Sequence, residues 1–244
     1  MYENQTVGKS FMKRMQLICV GYAGSVAANF NILASHMGED ISVSVVEYSG
    51  RGSRSREAPY ADNDELVADV AEQIRIIRNW ELPYAILGYS MGAQVVYELF
   101  AWELLPEMPV CTFLAAHEPP DVDCFGKSIN MDDDAAFLEH VKKYGGLDER
   151  LLQDARFASI FVSRMKQDFR LLKDYRFNGS YHEISSDVVM LYCENDTPYE
   201  VIKGWQRFSK KEIRFHQMGQ SHFFFKTDTE EFCEVLLAEM RKCM

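Results

Sequence analysis

Short apolar runs recur along this chain, and segments with a helical spacing of apolar residues fall between them. The runs occupy residues 16–20, 41–48, 84–87, 111–115, 188–192 and 212–215. Most are continuously apolar rather than alternating, as strands are when helices cover both faces of a parallel sheet. Leu66, Val67, Val70, Ile74 and Ile77 share one face of a helix, and Asp62 with Glu65 three residues later predicts a capping box at its start. Thr227 and Glu230 stand in the same relation ahead of Phe232, Val235, Leu236 and Met240, which predicts the final helix. This alternation predicts an α/β chain with a mostly parallel, doubly wound sheet. Ligands of such sheets bind at the carboxyl ends of the strands.

One stretch breaks the pattern. Residues 119–186 hold no strand-like run, but Phe157, Ile160, Phe161, Met165, Phe169, Leu172 and Tyr175 recur at helical spacing. Asp132, Asp133 and Asp134 suit the start of an earlier helix, where the dipole favours negative charge. We therefore expect one domain, residues 1–244, with a helical lid inserted at 119–186 over the strand ends; a helical pair docked on the sheet edge is the plainer alternative.

Composition removes several function classes. There are 37 acidic and 26 basic residues, a formal net charge of −11, which argues against a nucleic-acid surface built on clustered cations. No run approaches the roughly 20 apolar residues that a membrane helix needs. The six cysteines, at 19, 111, 124, 193, 233 and 243, include no C-x-x-C pair, and Cys19, Cys111 and Cys193 lie in apolar runs. No metal site is expected, and the pattern suits a reducing cytoplasm. Lys9, Lys13 and Arg14 ahead of Leu17-Ile18-Cys19-Val20 resemble a signal peptide. The run breaks too soon into Gly21-Tyr22-Ala23-Gly24, so a strand and glycine turn fit better.

The sharpest motif is Gly88-Tyr89-Ser90-Met91-Gly92, between the run at 84–87 and a helical segment carrying Val96, Tyr97, Phe100 and Leu104. A strand–turn–helix elbow of this kind holds its serine in a strained turn that tolerates only small residues two before and two after it. Ser90 Oγ would stand at a helix N-terminus, where developing negative charge is favoured. A serine needs a base to take its proton. The α/β-hydrolase chain order is serine, then acid, then histidine. His36, His117 and His140 come too early or in helical settings, and His182 ends the insertion. His222, in the loop before the last helix, is the expected base, with His216 the runner-up. Asp196, in the loop past the run at 188–192, is the expected acid, and Glu194 is its rival. The backbone amides of Met91 and Ala23 are the expected oxyanion donors, the second from the loop Gly21-Tyr22-Ala23-Gly24-Ser25. That loop lacks the G-x-G-x-x-G of a phosphate cradle.

With these pieces in order, the chain resembles the type II thioesterases, stand-alone α/β-hydrolases that accompany non-ribosomal peptide and polyketide synthases. Gly21–Ser25 is similar to the family's PYAGGS loop, 47–52 to YPGRG, and 88–93 to GHSMGA. Tyr144-Gly145-Gly146, Gln167-Asp168-Phe169-Arg170 and Tyr175 are similar to its LGG…RADF…Y stretch, followed by Asn195-Asp196, Trp205 and Ser221-His222-Phe223-Phe224. Gly21 and Ser49 stand where proline is usual, Tyr89 where histidine is, and Ser221 where glycine is. The resemblance implies Ser90, Asp196 and His222 as the triad. It implies as substrate an acyl or aminoacyl thioester on the phosphopantetheine arm of an acyl or peptidyl carrier protein, hydrolysed through an acyl-serine without cofactor or metal. A monomer is expected. Arg51, Arg54 and Arg56, or Lys142 and Lys143, are candidates for a basic patch that docks an acidic carrier. A carboxylesterase or lactone hydrolase with the same triad is the alternative activity. A transferase that passes the acyl group to an alcohol or amine, and a binding module without catalysis, are further readings.

Overall fold

A computed structural model describes residues 14–123, 129–145 and 155–243, with backbone alone for 155–157. Six strands, β1 (Met15–Val20), β2 (Ile41–Val45), β3 (Tyr84–Tyr89), β4 (Cys111–Ala115), β5 (Asp187–Tyr192) and β6 (Arg214–Gln217), form one sheet in the order β2-β1-β3-β4-β5-β6. Every pairing is parallel. The helices are α1 (Asn31–His36), α2 (Asn63–Ile77), α3 (Met91–Ala101), α4 (Asp134–Lys142), α5 (Ala155–Asp174), α6 (Tyr199–Ile202), α7 (Phe224–Thr227) and α8 (Thr229–Lys242).

The period-two alternation of a strand sorts its apolar residues between two cores. Ile18, Val20 and Ile86 face a core shared with α2, α3 and α5, through residues such as Val70, Val96 and Phe169. Leu17, Cys19 and Leu87 face the opposite core, with Leu33 of α1 and Phe232 and Leu236 of α8. Helices on both faces explain why the strands read as unbroken apolar runs. This is the α/β-hydrolase fold, doubly wound as expected.

The boundaries depart from the sequence pattern where pairing decides them. β3 continues two residues further, because Gly88 pairs with Val20 and Leu114, and Tyr89 with Ala115. The pairing of β5 with β6 runs from Val189 opposite Arg214 to Tyr192 opposite Gln217, which shifts the last strand two residues along. Asp62 caps α2, its carboxylate accepting from Glu65 N at 2.9 Å. Asp133 caps α4 in the same way, accepting from Ala135 and Ala136. The final helix does not start at Thr227: that residue closes the short α7, and α8 begins at Thr229.

Both α4 and α5 lie between β4 and β5, within the expected insertion. Cys124 and Gly146 fall outside the described residues, as do Lys9 and Lys13. Ile160, expected on the buried stripe of α5, is 45% exposed, whereas Met165, Phe169 and Leu172 are buried. Among the described residues no helix is long and apolar enough to cross a membrane.

Candidate active site

The segment joining β3 to α3 turns through a single residue. Ser90 has φ 53° and ψ −121°, a left-handed backbone that a side-chain-bearing residue adopts only when its surroundings enforce it. Its amide donates to the Ala115 carbonyl at 2.8 Å, and its own carbonyl accepts from Ala93 N at 2.8 Å. The flanking glycines are dictated by space. A Cβ on Gly92 would overlap the Val20 carbonyl, and one on Gly88 would overlap the backbone of Gly92 and Ala93. These contacts are backbone on both sides and cannot yield by a rotamer change. Ser90 Oγ is thereby fixed at the start of α3.

His222 arrives from the loop after β6. The Ser90 hydroxyl lies 3.0 Å from its Nε2 and donates to it, and its Nδ1–H donates to Asp196 Oδ2 at 2.7 Å. Asp196 sits in the tight turn after β5, where the amides of Asp196 and Thr197 both donate to the Cys193 carbonyl. Serine, imidazole and carboxylate therefore form one unbroken relay, with the side chains of His222 and Asp196 only 10% and 15% exposed. The rivals are occupied elsewhere. Glu194 accepts from Tyr199 N at 3.0 Å and caps α6. His216 lies within β6, its Nε2 3.0 Å from Glu239 Oε1 of α8.

Tyr89, which stands where the resembled family has histidine, reaches across to the relay. Its hydroxyl donates to the His222 carbonyl at 2.6 Å and so pins the loop that carries His222. The rings of Tyr144 and Phe223 pack edge-on to the imidazole at 5.2 and 5.1 Å. Ser90, His222 and Asp196 share a cavity with Ala23, and α4 and α5 contribute Val141, Met165 and Phe169 to its wall. Met91 follows Ser90 at the first turn of α3 and is buried.

One buried ion pair beside the site is not foreseen by the sequence analysis. Arg51 is not a surface charge: its guanidinium donates through both Nη atoms to Asp168 of α5, each at 2.7 Å, with the two side chains 3% and 2% exposed. Asp168 Oδ2 also accepts from Gly24 N at 2.6 Å, and Arg51 Nη1 reaches the Ser25 carbonyl. This carboxylate ties α5 to the loop expected to hold the oxyanion donor. Arg54 is engaged as well, by Glu57 and Asp69. Of the proposed docking cations, only Arg56 and Lys143 are exposed. A signal for Asp168 existed: it interrupts the apolar stripe Met165, Phe169, Leu172, and a charge on a buried stripe requires a partner. Arg51→Met, which leaves Asp168 buried and uncompensated, is expected to destabilise the fold by about 3–5 kcal/mol, read from urea unfolding. A loss below about 1 kcal/mol would show that the pair does not hold α5 down.

A strained strand–turn–helix elbow, a hydrogen-bonded relay and a doubly wound parallel sheet define the class: a hydrolase of the α/β-hydrolase fold. The model of the thioesterase domain family matches residues 15–240, and the chain belongs to that family, hydrolases of thioester bonds. Among its relatives, the gramicidin S biosynthesis protein GrsT of Aneurinibacillus migulanus is 27% identical over 231 residues, covering 93% of this chain and 90% of that one. Thioesterase PikA5 of Streptomyces venezuelae is 23% identical over 227 residues, covering 90% and 78%. The crystal structure of ClbQ from the colibactin NRPS/PKS pathway superimposes with a TM-score of 0.85 at 24% identity, covering 95% of this chain and 98% of that one. That last likeness speaks to the fold. Among the described residues no group of three or more His, Cys, Asp or Glu side chains is placed to hold a metal ion.

Proposed function

We propose that this chain is a type II thioesterase that removes acyl or aminoacyl groups from the phosphopantetheine arm of carrier proteins in non-ribosomal peptide or polyketide synthesis. The observation that carries the reading is the Ser90–His222–Asp196 relay at a strained elbow, in a chain of the thioesterase family whose relatives are named for such pathways. Ser90 Oγ attacks the thioester carbonyl as His222 Nε2 takes its proton, and the amides of Ala23 and Met91 receive the oxyanion. Collapse of the tetrahedral intermediate expels the thiolate, which takes the proton from His222, and leaves acyl-Ser90. A water that gives its proton to His222 then attacks the acyl carbonyl, and the free acid departs as Ser90 recovers its proton.

Residues of α4 and α5 line the cavity wall, which supports their role as a lid on the single domain. A monomer in a reducing cytoplasm suits the chain, whose described cysteines are all free thiols. Arg56 and Lys143 remain as cations for an acidic carrier. Hydrolysis of a panel of acyl-loaded carrier proteins, set against p-nitrophenyl esters of the same acids, tests the reading. A kcat/KM for the carrier thioesters about 100-fold or more above that for the esters is expected, since binding energy from the carrier and arm is realised only there. The opposite preference would establish a small-molecule esterase.

A further inference from the structure

Two side chains in the cavity take no part in the relay, and both follow the end of β4, next to Ser90. His117 is 5% exposed and Glu118 partly exposed, and each lines the wall that Ser90, Asp196 and His222 share. The His117 Nδ1–H donates to the Glu118 carbonyl at 2.7 Å, which fixes Nε2 as the lone-pair nitrogen. Nε2 is buried and has no hydrogen-bond partner among the described residues. The residue is held rigidly, since Trp205 Nε1–H donates to the His117 carbonyl at 2.8 Å. Burial pushes the pKa of this imidazole down, so the ring is neutral and acts as an acceptor. The Glu118 carboxylate accepts from Thr197 Oγ1 at 3.2 Å, through one of its two oxygens. Glu118 and Asp196 are the carboxylates of this wall, and no lysine or arginine is among its described residues. Asp196 is committed to His222, which leaves Glu118 available to a ligand.

We propose that Glu118 and His117 recognise the amino group of an aminoacyl thioester and make aminoacyl groups the preferred substrates of this site. The inference rests on the thioesterase reading and narrows its substrate class. When the acyl carbon is at Ser90 Oγ, an α-amino group is one carbon further on, within the cavity those two residues line. A protonated amine brings donors for the imidazole nitrogen and positive charge for the carboxylate. A plain acyl group brings neither and leaves a buried acceptor unpaired, the situation by which polar sites reject analogues that lack a hydrogen-bonding group. Val141, Met165 and Phe169 complete the wall and suit an apolar side chain.

The test compares alanyl, N-acetylalanyl and propionyl thioesters of N-acetylcysteamine, with the rate seen in Ser90→Ala subtracted. In the wild type, kcat/KM for the alanyl thioester is expected to exceed that for the other two by about tenfold or more. Glu118→Gln and His117→Leu are each expected to lower the alanyl-to-propionyl ratio by about tenfold, a ratio that does not depend on how much protein folds. A wild-type ratio within about twofold of unity, or one that survives both substitutions, would overturn the proposal while leaving the thioesterase reading intact. No hydrolysis of any of the three, nor of loaded carrier proteins, would overturn both.

Discussion

Ser90→Ala is expected to lower kcat for thioester hydrolysis by about 10⁶-fold, because the acyl-enzyme can no longer form. His222 is left with no proton to take from a nucleophile, and water is not held where Oγ stood. Any residual rate above water comes from oxyanion binding and substrate positioning alone. The substitution removes one oxygen from a partly exposed position and keeps the backbone hydrogen bonds of Ser90 to Ala115 and Ala93. The folded protein should therefore be recovered at wild-type yield. Single-turnover release of a radiolabelled acyl group, together with labelling by a fluorophosphonate, measures the effect. Retention of more than about 1% of the wild-type rate would exclude Ser90 as the nucleophile.

Asp196→Asn is expected to reduce kcat by about 10⁴-fold with little change in KM. The carboxylate accepts the Nδ1–H of His222 at 2.7 Å and so keeps the Nε2 lone pair facing Ser90. An amide of the same shape presents its NH₂ group to Nδ1, which favours the tautomer with the proton on Nε2 and blocks proton transfer from the hydroxyl. It also withdraws the charge that stabilises the imidazolium. Steady-state kinetics of Asp196→Asn beside Glu194→Gln separates the two acids. Because Glu194 caps α6, its substitution should leave kcat within about twofold of wild type. A kcat for Asp196→Asn within about threefold of wild type would remove that residue from the relay.

The strands and the elbow were legible because the signals that specify them are local. Continuous apolar runs announce a sheet covered on both faces, and only glycine fits beside Val20 and Ala93 at the turn that raises Ser90. That His222 and Asp196 would meet beside Ser90 was legible from chain order, since the loops after successive parallel strands converge on one sheet edge. His117 was passed over by the same rule: it follows β4 as Asp196 follows β5, but a fixed order of serine, acid and base leaves no place for it. Arg51 read as a surface cation because arginine usually is one.

The chain's own order of residues determined the class of fold, the turn that presents Ser90, and which loops lie over the strand ends. Only the tertiary structure decided which charges meet. The buried grip of Arg51 on Asp168, the reach of Asp168 to Gly24, the Tyr89 brace under His222 and the hold of Trp205 on the His117 carbonyl each join segments distant in sequence. The physical reason is that periodicity and turn chemistry act over a few residues, whereas the pairing of buried polar groups depends on which segments the packed sheet brings within 3 Å, a distance that spacing along a chain does not encode.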